Sequence, residues 1–289
     1  MAHKPLYDSP AGWSKVANAY QNVRGRAPGT QTAGYIIDAA NTYLPLSQAT
    51  GVIDIGCGGG AITTQILDTH AATLPKDARI IASDIADGML NLVRQRRAKG
   101  ISDGATAWER LEIAKLDATD LSSIESGTFS HILSSFVYLH VPDVAKALAE
   151  AHRILGAEGV ISLTSWKRND WVDVLQVVKD ISSDLGDIPT PASLSPTWCT
   201  ADGARKHLVD AGFRDVVVKP VAVHWAFEGH EQVVGDILGA MPFMEKVMMP
   251  MTEDEKVRAR ELMVEWVRER HPEAPGELEG TAFVAVGRK

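Results

Sequence analysis

Cysteine is scarce in this chain, because its 289 residues include only Cys57 and Cys199. Two thiols cannot build a disulfide framework, and they cannot complete a zinc site alone. Positive charge is also sparse: the net charge is −8, and the densest basic run, residues 94–99, falls on a predicted surface helix. Since gripping a nucleic-acid backbone requires clustered positive charge, we expect no nucleic-acid partner.

Long hydrophobic runs are missing as well. No apolar stretch approaches the ~20 residues that cross a bilayer. Residues 1–10 lack the apolar core of a secretion signal. We therefore expect a cytoplasmic protein with no membrane partner.

The middle of the chain alternates short apolar strands with helices. Strands are predicted at residues 51–55, 79–83, 111–116, 129–134 and 159–166. This rhythm is typical of an α/β fold with a doubly wound parallel sheet, covered by helices on both faces. Two further strands are predicted later, at 216–225 and 281–286.

Helical segments flank and interrupt this pattern. Residues 1–45 are predicted to form an N-terminal helical cap, and residues 46–289 form the main domain. Two segments of that domain, 167–199 and 229–275, are too long for simple connections. We interpret them as helical insertions that build a substrate lid.

The most informative segment runs from Val52 to Ala61, a strand followed by a glycine-rich turn that opens a helix. Its glycines also satisfy the dinucleotide pattern GxGxxG/A, which is weak support by itself. Asp54 argues against a dinucleotide, because a carboxylate at the strand end repels a pyrophosphate. S-adenosylmethionine (SAM) instead presents an ammonium group and a sulfonium, which favour an acid there.

This segment resembles the first motif of class I SAM-dependent methyltransferases, (D/E)xGxGxG. Asp54, Gly56, Gly58 and Gly60 match it in full, and Cys57 between them is expected to contribute its backbone. The resemblance implies a seven-stranded Rossmann-like methyltransferase sheet with strand order 3-2-1-4-5-7-6 and an antiparallel last strand. It also implies SAM as the cofactor.

Later strand ends fit the same cofactor. Asp84 follows the second strand and is expected to accept both ribose hydroxyls, although an N-cap role is an alternative. By resemblance, Ile85 packs on adenine, with Met89 completing that wall. Asp117 and Ala118 follow the third strand as the counterpart of the motif whose acid reaches the adenine amino group.

The fourth strand ends in Ser134, where metal-dependent catechol methyltransferases resemble one another in carrying an acid. Because this position carries no acid, we expect no metal, and Ser134 itself is assigned to the cofactor site. The (N/D)PP(Y/F) motif of nucleobase amino methyltransferases is absent too. With Ser165, Trp166, Lys167 and Trp171 after the fifth strand, the helical insertions and the helical N-terminus, the chain looks like fungal secondary-metabolite methyltransferases.

Aromatic residues suggest where the acceptor binds. Tyr20 is assigned to the cofactor, because in similar enzymes an aromatic hydroxyl on the first helix reaches the methionine carboxylate; plain helix packing is the alternative. Five further aromatic residues are assigned to an apolar substrate pocket: Trp13, Trp166, Trp171, Trp225 and Phe243. For each of them a core role remains open.

His140 and His224 are the candidate proton acceptors, needed only if the acceptor carries a proton at neutral pH. A structural role remains open for both. The predicted activity is methyl transfer from SAM to a hydroxyl, thiol or amine of an apolar small molecule, by a monomer or homodimer. The alternatives are a SAM-fold enzyme with non-methylating chemistry and a regulatory binding protein that retains the fold.

Overall fold

The computed structural model describes residues 9–179, 181, 188, 190–241 and 243–289. The strands are β1 (Gly51–Ile55), β2 (Arg79–Asp84), β3 (Leu111–Lys115), β4 (Phe129–Ser135), β5 (Leu155–Asn169), β6 (Arg214–Phe227) and β7 (Gly276–Arg288). The α-helices are α1 (Pro10–Val23), α2 (Gly29–Tyr43), α3 (Ala61–Gln65), α4 (Asp87–Ser102), α5 (Val144–Ile154), α6 (Asp170–Asp173), α7 (Pro191–Leu194), α8 (Ala201–Asp210), α9 (His230–Ala240), α10 (Met244–Met248) and α11 (Glu253–Arg270).

All seven strands belong to one sheet, in the order β3-β2-β1-β4-β5-β7-β6. β1 to β5 pair in parallel, and β7 is antiparallel to both β5 and β6. The predicted fold class and strand order are confirmed. Strand order reverses at β1 and β4, and in open α/β sheets ligands bind outside the carboxyl ends of the strands at such a point.

The antiparallel end of the sheet extends further than its apolar pattern predicted. β5 covers residues 155–169 where 159–166 was predicted, and β7 covers 276–288 where 281–286 was predicted. Because β7 pairs with both neighbours along its length, the ladder continues into half-exposed residues that carry no apolar signal. β6 is longer than predicted for the same reason.

The predicted helical insertion over 167–199 is only partly described. α6 is followed by a 3₁₀ turn, Val174–Val178, and residues 180 and 182–187 lie outside the described part of the chain. The helix that opens after the glycine-rich turn divides into α3 and a π-helical turn, Ile66–His70.

The glycine-rich turn after β1 needs its glycines for conformation and for space. Gly56, Gly58 and Gly60 have φ values of +65°, +51° and +80°, a region that side-chain-bearing residues rarely adopt. A Cβ on Gly56 would also lie 2.3 Å from Cγ2 of Val137. The glycines therefore let the turn lie close to its neighbours, which leaves open space at the carboxyl ends of the strands.

A hydrophobic core, here called the second core, lies at the antiparallel end of the sheet, apart from the cores that cover the parallel strands. It combines side chains from β6, β7, the 170–178 segment and helices α9 to α11, including Trp171, Trp225 and Phe243. α1 packs against both α4 and α9, so it joins this core to the helix that follows β2. An ion pair of 2.7 Å between Arg26 and Asp236 fixes the segment after α1 to α9. Among the described residues, no helix combines the length and apolar character needed to cross a membrane.

Candidate active site

A cavity of about 530 Å³ opens at the carboxyl ends of the parallel strands. One side is formed by the turns after β1, β2 and β3, and the other by α1 and the second core. The first side carries most of the residues predicted to hold the cofactor, and the second carries Tyr20 and the aromatic residues predicted to hold the acceptor. One continuous space is therefore lined by residues of both predicted sites.

Asp84 organises the nucleotide side of this cavity. Its Oδ2 accepts a hydrogen bond of 2.9 Å from the Gly58 amide, and its Oδ1 accepts one of 2.9 Å from the Ala86 amide. Burial raises the pKa of this carboxyl above its usual value. The N-cap residue of α4 is Ala86, so the alternative assignment of Asp84 as its N-cap is wrong. Asp84 instead joins the turns after β1 and β2 while lining the cavity.

An apolar slot lies next to Asp84. Ile85, Met89, Leu116 and Ala118 line it, and Asp117 lines the same cavity. Oδ1 of Asp117 accepts hydrogen bonds of 2.8 Å from both the amide and the hydroxyl of Thr119, which holds the carboxylate in place. Apolar walls with a carboxylate in the same cavity suit a purine with an exocyclic amino group.

A smaller cavity beside the glycine turn contains opposite charges, and Tyr20, Cys57 and Gly58 contribute to its wall. Oδ2 of Asp54 accepts bonds of 3.1 and 2.7 Å from the amide and hydroxyl of Thr63, at the start of α3. Its buried Oδ1 has no hydrogen-bond partner among the described residues. Burial raises the pKa of Asp54 to about 7.

Arg24 and Arg96 also line this smaller cavity, and neither was predicted from the sequence. Burial lowers the pKa of Arg24, and burial together with the Arg24 charge lowers that of Arg96 to about 10. Buried guanidinium nitrogens of both residues lack a hydrogen-bond partner within the described chain. Two cations beside an acid match the carboxylate and ammonium of an amino acid.

The N-terminal helix α1 contributes Trp13 and Tyr20 to the wall of the cavity. Ser14 accepts a hydrogen bond of 3.1 Å from the Gly88 amide, which ties α1 to the first turn of α4. The ring of Trp13 lies against His140, with centroids 5.9 Å apart.

Part of the cavity wall is an aromatic chamber, formed by the rings of Phe136, Trp166, Trp171 and Trp225. All five predicted substrate residues line the cavity. Trp166 stacks on Phe136 with centroids 3.7 Å apart, and its edge contacts Trp171 at 5.1 Å. Trp171 in turn lies 5.7 Å from Trp225. Phe136 has a φ of +56°, a strained value for a side chain of this size, and the sequence did not reveal it.

The two candidate histidines differ in position. His140 lines the cavity, and burial lowers its pKa to about 3, so its imidazole is neutral at physiological pH. The prediction for His224 is wrong, because its side chain is 41% exposed and its Nδ1 lies 3.4 Å from Oε2 of Glu277. Its neighbours Val223 and Trp225 are buried, and strand alternation turns His224 to the opposite face.

Two further predicted cofactor residues do not line either cavity. Ser134 is fully buried and its hydroxyl donates to the Ile55 carbonyl at 2.8 Å, so the prediction that it contacts the cofactor is corrected. The cavity wall carries its neighbour Ser135 instead. Gly60 lies behind the turn as the N-cap of α3, so its contribution is conformational.

Cys57 lies on the wall of the smaller cavity, and burial raises the pKa of its thiol well above the usual value. Within the described part of the chain, no three His, Cys, Asp or Glu side chains are grouped as metal ligands.

Comparison with known proteins agrees with this geometry. Residues 53–163 match a family model described as a methyltransferase domain. The chain is 32% identical over 276 residues to methyltransferase ucsB from Acremonium sp., a match that covers 95% of this chain and 94% of that relative. The chain belongs to the methyltransferase family. This confirms the predicted SAM-dependent class, with SAM as the methyltransferase's cofactor.

Two other matches are more distant. Methyltransferase tpcH from Aspergillus fumigatus is 24% identical over 176 residues, or 59% of each protein. The crystal structure of the [4+2]-cyclase SpnF matches this methyltransferase with a TM-score of 0.59 and 14% identity, over 99% of this chain and 98% of that one. At that identity the second match shows a shared fold alone.

The charge state of Asp54 generates a test. S-adenosylhomocysteine carries an ammonium group, and Asp54 is anionic only above a pH of about 7. Raising the pH from about 6 to about 8 should therefore tighten S-adenosylhomocysteine binding by up to about 10-fold, because the folded protein no longer holds a proton there. Calorimetric titrations of the wild type and Asp54→Asn check this. The variant should lose the increase, and an equal pH dependence in both proteins would contradict the assignment.

Proposed function

We propose that this methyltransferase transfers the methyl group of SAM to a hydroxyl, thiol or amine of an apolar small molecule, a secondary metabolite. The observation that carries the proposal is the single cavity shared by the glycine turn and the aromatic chamber. A donor and an acceptor bound in it would meet without an intervening wall.

The residues present fit SAM. Arg24 and Arg96 would bind the methionine carboxylate, and the unpartnered Oδ1 of Asp54 would accept from the ammonium. Asp84 would hold the ribose, since it lines the cavity beside the glycine turn. The apolar slot described above would hold adenine. Bound SAM supplies a methyl group activated by positive sulfur.

The protein's own contribution would be positioning and the exclusion of water. Two oriented reactants held in one closed site react far faster than in solution, and a dry site strengthens local electrostatics. Aromatic faces such as those of Trp13 and Trp166 also stabilise a nearby cation. The chamber therefore suits a reaction that starts from a positive sulfur and needs little proton movement.

His140 would take part as a neutral ring in the wall. With a pKa of about 3 it is a weak base, so it would give little help in deprotonating a poorly acidic acceptor. This favours acceptors that are nucleophilic without a strong base, such as a thiol or an acidic hydroxyl. His224 lies outside the cavity and would have no part in the reaction.

We also propose that residues 1–45 act as a cap and that segments 167–199 and 229–275 act as a lid over the acceptor. Support comes from α1, which contacts both α4 and α9, and from the chamber residues Trp171 and Phe243, which these segments contribute. Residues 1–8 of the cap, and residues 180, 182–187, 189 and 242 of the lid, lie outside the described part of the chain.

A direct test measures transfer of a labelled methyl group from SAM to panels of apolar phenols, thiols and amines. We expect label in at least one panel, and loss of that label in Asp84→Ala while the variant keeps its fold. Tight SAM binding with conversion of an acceptor that gains no label would instead favour non-methylating chemistry.

The proposed carboxylate site is tested by Arg96→Gln. Losing one charge-assisted hydrogen bond of about 1.5–3 kcal/mol should weaken S-adenosylhomocysteine binding by roughly 10- to 100-fold. Arg94→Gln is the matched control, because Arg94 lies on the same helix and is exposed. Calorimetry that finds equal affinities for the two variants would remove Arg96 from the site.

A further inference from the structure

Three polar groups on the cavity wall have no hydrogen-bond partner within the described chain. They are Nδ2 of Asn169, Nε1 of Trp225 and Oγ of Ser195. Their residues are only 1%, 4% and 7% exposed. Buried polar groups are nearly always hydrogen-bonded, because an unmade bond costs free energy that water would otherwise supply. A cluster of three in one cavity therefore points to a ligand that completes them.

The free group of Asn169 is a donor. Its Oδ1 accepts a hydrogen bond of 2.9 Å from the Val172 amide and so caps α6. That bond fixes which side of the amide is oxygen, and it leaves the two N–H groups of Nδ2 for another partner. The indole nitrogen of Trp225 can only donate as well.

The sheet brings these two donors to one face. Asn169 pairs with Gly280 on β7, and Gly280 pairs with Val223 on β6. Directly paired residues share a face, and so do residues two apart on a strand. Trp225, two residues beyond Val223, therefore lies on the same face as Asn169.

A bulge adds the aromatic surface to that face. The β5 register shifts between Trp166 and Arg168, so one extra residue lies between them. In a regular strand Trp166 and Asn169, three residues apart, would point to opposite faces. The bulge turns both into the cavity, as bulges beside active sites commonly do. Gly280 makes room on this face for the Trp171 ring, since a Cβ there would lie 2.5 Å from Cη2 of Trp171.

We propose that Asn169 and Trp225 bind a carbonyl oxygen of a planar aromatic acceptor, whose ring system lies along the Trp166 and Trp171 rings. Two donor-only groups select an acceptor atom, and Ser195 can supply a third donor. Both donors are neutral, which suits a neutral carbonyl better than a carboxylate, because a buried charge needs a paired countercharge. This inference rests on the proposed function, in that the aromatic chamber is the acceptor site.

The test compares two probes that differ only at this atom. 9-Fluorenone carries a carbonyl where fluorene has a methylene group, and the two planar ring systems are otherwise alike. Equilibrium dialysis with S-adenosylhomocysteine-saturated protein should show fluorenone binding about 10-fold or more tightly than fluorene. Fluorene-9-carboxylate should bind more weakly than fluorenone.

Conservative variants locate the preference. Trp225→Phe removes the indole donor and keeps an aromatic ring, and Asn169→Ser keeps an N-cap oxygen for α6. Each should lower the fluorenone preference several-fold and leave fluorene binding nearly unchanged. Trp198→Phe is the matched control, because the indole nitrogen of Trp198 is also buried without a partner among the described residues, whereas Trp198 does not line the cavity. The preference for fluorenone over fluorene should persist in this control variant.

Equal binding of fluorenone and fluorene would overturn the inference, and so would failure of both to bind. A fluorenone preference that survives in both donor variants would overturn it as well. Stronger binding of the carboxylate would replace the carbonyl with an anion. S-adenosylhomocysteine binding is measured in parallel. If the wild-type protein does not bind S-adenosylhomocysteine, the proposed function is contradicted. If it binds S-adenosylhomocysteine normally but shows no preference for fluorenone, only this inference is contradicted.

Discussion

The two hydrogen bonds that Asp84 accepts hold the cofactor side of the molecule together. One comes from the glycine turn after β1 and the other from the chain entering α4, so a single carboxylate fixes the relative position of two strand ends. Because the turn carries three glycines with positive φ, it has little rigidity of its own and depends on such external bonds. The shape of the cofactor site thus depends on one buried acid.

The acceptor side is built differently. There the antiparallel extension of the sheet and the helices of the second core surround a chamber of rings, and α1 connects this core to α4. The cofactor side leaves Oδ1 of Asp54 and guanidinium nitrogens without partners, while the acceptor side leaves neutral donors. The two sets of unpartnered groups would suit different ligand groups, a zwitterion on the proposed cofactor side and a neutral oxygen on the proposed acceptor side.

The sequence predicted what is encoded locally. Buried parallel strands appear as continuous apolar runs, and the positive-φ turn appears as glycines, so the strands and the glycine turn were both predicted. The strand order came only from the resemblance to class I methyltransferases. The error at His224 arose because one residue of strand register decides which face a side chain takes. Arg24 and Arg96 carry no motif, and they meet only when α1 packs on α4. The roles of Trp166 and Asn169 depend on a bulge that the pattern does not show.

The central claim is that cofactor and acceptor occupy one cavity, with the reacting sulfur at the boundary of the aromatic chamber. A crystal structure with S-adenosylhomocysteine measures this most directly. The account predicts the amino-acid end of the ligand between Asp54 and the arginines Arg24 and Arg96, its ribose at Asp84, and its sulfur open to the chamber that Trp166 and Trp171 line. A ligand whose sulfur is walled off from that chamber, or whose amino-acid end lies elsewhere, would contradict it.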